Sequence, residues 1–400
     1  MASSGPRDAV ITGIGLVSCL GEGMAAHRAA LDAPGGFSPV VDAASFAPWL
    51  VHPIVKLEYD QQIPRRGDQR TMEPWQRIGT YAAGLALEQA GLKGNAALLD
   101  QTHMIVAAGG GERDCAVDAA ILSDLPASAD PAALLNERLL NDLRPTLFLA
   151  QLSNLLAGNI SIVHGVVGSS RTFMGEEAAG VDAVRIACEG IAAGLGDLYL
   201  VGGSGNAQRP EAFLHYEMGR LLWKRDFAPV WSRQQHGGGM VLGSLGCFLV
   251  IESRASAAAR DVPALARIAA VASDRCPRRP GQATANAERQ WARMAPLADP
   301  AATAVVSGAS GAARPTAEEQ AFLSGLGLPV RATATAIGHT IEPSFVANLA
   351  LAADAVGQGR LFAPLDPPAE QPMAARLHSA LVTGWGHWRG EGMALVDQAG

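Results

Sequence analysis

"GVVGSSRTFMGEEAAGVDAV", residues Gly165 to Val184, reads as a buried strand that turns sharply into a helix. "SSRTFM" combines Thr and Phe with small residues, and glycine follows at the turn. Many enzymes mount a nucleophile on such a strand-to-helix turn. Here the turn carries Gly175, Glu176 and Glu177. A carboxylate therefore stands where a thiol or hydroxyl is expected, and the surrounding chain must explain it.

A chain of 400 residues has room for two core-bearing halves or one large α/β domain. Its 48% hydrophobic content, 17% charge and 5% aromatic content describe a well-packed protein that is poor in stacking platforms for single-stranded nucleic acid. The net charge of -7 gives no electrostatic footprint for DNA or RNA. Two basic knots, "PRRGDQR" (Pro64 to Arg70) and "DRCPRR" (Asp274 to Arg279), read as solvated loops. If either docks a partner, an acidic carrier protein fits it. The five cysteines, Cys19, Cys115, Cys188, Cys247 and Cys276, are scattered and form no C-x-x-C, so neither a disulfide framework nor a zinc site is expected. No cofactor or metal is expected. The start "MASSGPRDAVITG" lacks a signal-peptide pattern and no apolar run reaches membrane length, so the expected location is the cytoplasm, without membrane insertion.

Strand and helix patterns alternate along the chain. "DAVITGIGLVSCLG" (Asp8 to Gly21) reads as a short buried strand running into a glycine-rich turn, without the spacing of a dinucleotide fingerprint. "PWQRIGTYAAGLALEQAGL" (Pro74 to Leu92) has helical spacing and ends at a glycine. "HMIVAAGGG" (His103 to Gly111) and Leu198 to Val201 read as strands, as does Cys247 to Glu252. A second series follows: "ALARIAAVAS", "AATAVVSGASG" (Ala301 to Gly311), and a strand pair around "HSALVTGWGHWRGEGMALVD". The Pro-rich "APLDPPAEQP" (Ala363 to Pro372) reads as a surface connection. This alternation predicts a mostly parallel sheet covered by helices, in a duplicated α/β unit with halves at 1–252 and 253–400.

The order of these landmarks resembles the β-ketoacyl-acyl carrier protein synthases, the condensing enzymes of thiolase fold. "AVITGIGLVSCLG" is similar to their first strand and turn, and "NLLAGNISIVHGVVGSS" to the helix and strand before their nucleophile. "GLGDLYLVGGSG" resembles the next strand, and "VWSRQQHGGGMVLGSLGCFLVIE" the segment joining the halves. "AIGH" is similar to their late glycine-histidine turn, and "GWGHWRGEGMAL" to their C-terminal strand pair. From Asn154 to Gly203 the match needs no gap. The resemblance implies a thiolase-like, five-layer αβαβα duplicated fold.

An active member needs a cysteine at the strand-to-helix turn, two histidines for the malonyl thioester and its enolate, and usually a supporting lysine. On this registration the cysteine position is Glu177, the first histidine is Ser307, the lysine is Ala334, and the second histidine is kept as His339. A carboxylate suits the positive end of a helix but cannot pass on a thioester as a thiolate does. "GEEAAGVDA" looks like the chain-length factors, the silent partners of ketosynthases in type II polyketide systems, which carry glutamine in a similar setting; here it is Glu. Two plainer readings stay open: Glu177 as a helix-capping carboxylate, and His339 as a structural remnant. Cys188, eleven residues beyond Glu177, reads as packed core.

The resemblance implies a non-catalytic partner that forms a heterodimer with an active ketosynthase, receives an acyl carrier protein, and shapes the acyl tunnel in polyketide or fatty-acid-like elongation. Aryl polyene and other polyene pathways are the first expectation for the product. The alternatives are a malonyl carrier protein decarboxylase and an acyltransferase using Glu177 or Ser307 with His339. The strand carrying Arg171, Thr172 and Phe173 is expected at the subunit interface, where left bare it would be an unpaired edge. "GGGERDCAVDAAIL" (Gly109 to Leu122) is expected to reach the partner's tunnel, with Asp114, Cys115, Val117 and Asp118 as its candidates; a plain helix on the interface is the other reading.

Overall fold

Strand β1, Ala9–Ser18, is buried along its whole length and runs straight through the glycines that the sequence places in a turn. Packing is the reason. Helix α1, Pro74–Gln89, crosses so closely that a Cβ on Gly13 would lie 2.3 Å from the Ala86 carbonyl oxygen, and one on Gly15 would lie 1.9 Å from that of Ala82. These glycines admit a helix backbone and do not break the strand. The turn comes later, at Gly21, where Gly21–Glu22 folds back on the end of β1. Helix α1 starts with a capping box between Glu73 and Gln76 and with Pro74 in its first turn.

The computed structural model describes residues 5–388 and 390–399. Beyond β1, the first half holds β2 (His103–Ala107), β3 (Ser170–Phe173), β4 (Leu198–Gly205) and β5 (Leu245–Ser253). The second half holds β6 (Ala266–Asp274), β7 (Thr303–Ser307), β8 (Val330–Ala332), β9 (Ser379–Trp385) and β10 (Glu391–Asp397). The spatial order is β3-β2-β4-β5-β1 in one half and β8-β7-β9-β10-β6 in the other, so the same order occurs twice. In each half the first two pairings are parallel and the last two antiparallel. The halves join edge to edge where Val10 and Ile11 pair with Arg267 and Ala266.

Helices α4 (Ala178–Ala192) and α7 (Ser344–Gln358) pack on each other and on strands of both halves. On the outer faces lie α1 and α3 (Leu155–His164) for the first half, and α5 (Gln282–Met294) and α6 (Ala313–Leu326) for the second. The result is five layers, αβαβα. Helix α7 is apolar nearly all round, as a central helix must be, and its Phe345, Leu349 and Val356 join the main core. Truncating a buried leucine such as Leu349 to alanine costs about 2–5 kcal/mol in such a core.

Two local expectations change. Strand β3 is an exposed edge and not a buried strand, because β2 is its single strand neighbour among the described residues. The Pro-rich stretch after Ala363 is more than a surface connection, since it buries Asp366 and Glu370. Asp366 accepts from the Ser232 amide and hydroxyl, and Glu370 accepts from Trp231 Nε1 and from the amides of Ala332 and Leu365. These bonds strap the connection to the core, which a composition argument could not foresee. All five cysteines are free. No helix among the described residues is long and apolar enough to cross a membrane.

Candidate functional site

After β3 the chain passes Gly175 at φ 91° and Glu176 at φ 69° before α4 begins. A left-handed glutamate is uncommon, and such backbones concentrate at functional turns. Glu176 is held in place: the Trp388 amide donates to its Oε2 at 3.1 Å. Glu177 follows at the helix start, with its side chain only 2% exposed. Its carboxylate makes no capping hydrogen bond to α4. The plain capping role is therefore not the one this side chain performs.

The carboxylate faces two imidazoles instead. His339 Nε2 donates to Glu177 Oε1 at 2.8 Å, and His387 Nδ1 lies against the same oxygen. Both ring side chains are 2% exposed. His339 is fixed through its backbone, because its amide donates to the Val241 carbonyl and its carbonyl accepts from the Gly243 amide. Gly243 is required there: a Cβ on it would lie 2.1 Å from the Ile337 carbonyl oxygen. His387 sits in the turn between β9 and β10, with Nε2 3.4 Å from the Ser310 hydroxyl. Burial works to raise the Glu177 carboxyl, but the charge of the adjacent His387 and the hydrogen bond from His339 outweigh it and hold the group well below the usual carboxylate range. Burial lowers His339, against the pull of Glu177.

Of the positions singled out from the sequence, the structure thus brings Glu177 and His339 together. Ser307 is engaged elsewhere. Its hydroxyl donates to Glu319 Oε1 at 2.7 Å, and Thr383 donates to the same oxygen at 2.5 Å. Burial pushes the Glu319 carboxyl up to about 7. Ala334 lies buried in an apolar cluster that also holds Val230 and Phe322, where an ammonium group would be desolvated. His387 and Glu319 escape the sequence reading. The signal for His387 was a histidine in the glycine-rich turn "GWGHWRGEGMAL" of a chain that lacks a histidine at 307.

The side chains of the expected tunnel segment are locally occupied. Asp114 caps helix α2 (Cys115–Asp124) by accepting from the Val117 amide at 3.3 Å, and Asp118 pairs with Arg113 at 2.6 Å. Cys115 Sγ donates to Glu211 at 2.9 Å, while Val117 is half-buried. Next to His339 lies a cavity lined by Trp75, Gly109, Asn206, Arg209, Tyr216 and Glu342.

At the two ends of β3, the carbonyls of Ser169, just before it, and of Phe173 accept from the amides of Met104 on β2 and of Ala108 just after β2. By the alternation of a strand, the amide and carbonyl of Thr172 then point to the outer side. Apolar side chains flank this rim: Ile162 on α3, Val167 before β3 and Met174 after it are 68%, 60% and 63% exposed.

Among the described residues, Glu177, His339 and His387 form the one group of His, Cys, Asp or Glu side chains whose ligand atoms converge, all within 4.8 Å, closely enough to hold a metal ion.

Residues 55–257, just over half of the chain, match the family model for the beta-ketoacyl synthase N-terminal domain. No curated protein matches the chain. Similar solved structures include the ishigamide ketosynthase/chain length factor, at TM-score 0.79 and 18% identity over 98% of this chain and 100% of that one. A beta-ketoacyl synthase from Burkholderia phymatum STM815 aligns at 0.75 and 19% identity, covering 98% and 100%. The type II PKS acyl-carrier protein in complex with its ketosynthase bound to the hexaketide, AntDE:AntF, aligns at 0.75 and 16% identity, covering 99% and 100%. At such identities the likeness is one of fold.

Proposed function

The chain belongs to the beta-ketoacyl synthase family, and from that premise we propose that it is a non-catalytic, chain-length-factor-like partner of an active ketosynthase. The observation that carries the reading is the state of Glu177: at the nucleophile's place stands a buried carboxylate already engaged by His339 and His387. It is no thiolate, and the histidine that would polarise a thioester carbonyl donates to a side chain instead. An incoming malonyl carboxylate would also meet a like charge. The decarboxylase alternative therefore has no support from the geometry.

Association supplies the rest of the reading. An edge strand with outward-facing backbone groups and exposed apolar neighbours asks for a cover. Leu122, Leu140 and Phe148, at 70%, 72% and 69% exposed, add apolar surface on the segments that follow β2. A ketosynthase of the same fold, pairing its own edge with β3, would continue the sheet across the dimer and place α2 near its acyl tunnel. A carrier protein would then deliver its thioester to the active subunit.

The experiment is reconstitution with the intact ketosynthase encoded nearest to this chain. Size-exclusion chromatography should show a stable one-to-one complex, and elongation of malonyl carrier protein should require both proteins. A chain that forms no complex, or that alone converts malonyl to acetyl carrier protein, would overturn the proposal.

A further inference from the structure

We propose that Glu177, His339 and His387 form a binding site for a divalent transition metal ion, with Zn²⁺ the first expectation. The three side chains come from a helix start, a glycine turn and a strand connection, far apart in the chain, and all are 2% exposed. Their ligand atoms lie within 4.8 Å of one another. Two imidazoles and a carboxylate are a familiar donor set for Zn²⁺, with bonds of about 2.0–2.2 Å and a fourth position left for water or another ligand.

The hydrogen bonds here leave donors for a metal to use. Glu177 Oε2 is buried and has no partner, and His387 Nδ1, although against Oε1, lacks the alignment of a hydrogen bond. Each such buried orphan is a cost to the fold if nothing binds it. One cation at the point of convergence would satisfy both, and would replace the proton on His339 Nε2, which leaves to solvent as the Nε2–Oε1 hydrogen bond gives way to two metal bonds. His387 also has the outer support that metal-bound histidines usually show, because its far nitrogen meets the Ser310 hydroxyl at 3.4 Å. The scattered cysteines could not disclose this site, since none of its ligands is a cysteine. It would staple the β9–β10 turn to the start of α4 and close the degenerate site. The inference is independent of the partner role.

The test uses the full chain, stripped with chelator and titrated with ZnCl₂ by calorimetry, together with metal analysis and the visible spectrum of a Co²⁺ form. One equivalent per chain and a Co²⁺ spectrum of low-symmetry coordination are expected. His387→Ala and Glu177→Gln should each weaken binding by roughly a hundredfold or more, and Ser310→Ala, which keeps all three ligands, by about tenfold. Circular dichroism in chelator checks that the variants are folded. Absence of stoichiometric Zn²⁺ binding by the wild type overturns the proposal. So does binding that Ser310→Ala and the folded ligand variants leave unchanged.

Discussion

In the interior, Glu177, His339 and His387 turn toward one another; at the rim, β3 turns the backbone of Thr172 outward. The first region sets its imidazoles against its own carboxylate. The second offers groups that the chain itself does not use. In a fold whose relatives do chemistry, this contrast moves the expected function from the interior site to the edge.

The largest effect should come from removing the interior carboxylate. In metal-free protein, Glu177→Ala leaves two buried imidazoles without the carboxylate they face and should cost about 3–5 kcal/mol in urea unfolding. A loss near zero would mean that the cluster is not the closed unit described here.

Glu319 sharpens the contrast within the interior, because its partners are the hydroxyls of Ser307 and Thr383 and not imidazoles. Its carboxyl is pushed up to about 7 from 4.5. As pH rises from about 4.5, the unfolded chain releases this proton while the folded chain keeps it. Stability from this group is therefore full below about 4.5, falls toward about 7, and is flat above. Glu319→Gln should remove that fall, at most about 3 kcal/mol, from the difference between wild-type and variant stability curves. Parallel curves from pH 4 to 8 would show that Glu319 is ionised in the fold.

At the rim, Thr172→Pro deletes an outward amide without taking a bond from the β2–β3 ladder. Affinity for the ketosynthase should fall roughly tenfold to a hundredfold while the thermal melt stays the same. Unchanged affinity would place the interface elsewhere. The smallest effect is expected at α2: Val117→Phe should shorten the partner's product if that face enters the tunnel, with product length by mass spectrometry as the check. An unchanged product distribution would leave α2 as a plain interface helix.

Much of the fold is legible in the sequence, because apolar strands such as Leu198 to Val201 alternate with Ala-rich helices in two similar series. Gly13 and Gly15 mislead for a physical reason: a glycine that ends a strand and a glycine that admits a crossing helix look alike until the helix is in place. The edge character of β3 depends on which strand takes the neighbouring place, a matter of topology and not of local pattern. In the site, Glu177 and His339 stand out through motif registration. His387 does not, since its role arises only when the β9–β10 turn folds over the start of α4. Glu319 is hidden in the same way, as one glutamate on a helix whose burial no periodicity announces.

The most direct measurement concerns where condensation happens in the reconstituted pair. Two variants are compared by product formation from malonyl carrier protein: Glu177→Gln in this chain, and alanine for the nucleophilic cysteine of the partner. The first pair should keep making product and the second should make none. Product that survives loss of the partner's cysteine but disappears with Glu177→Gln would contradict this and place the chemistry in this chain.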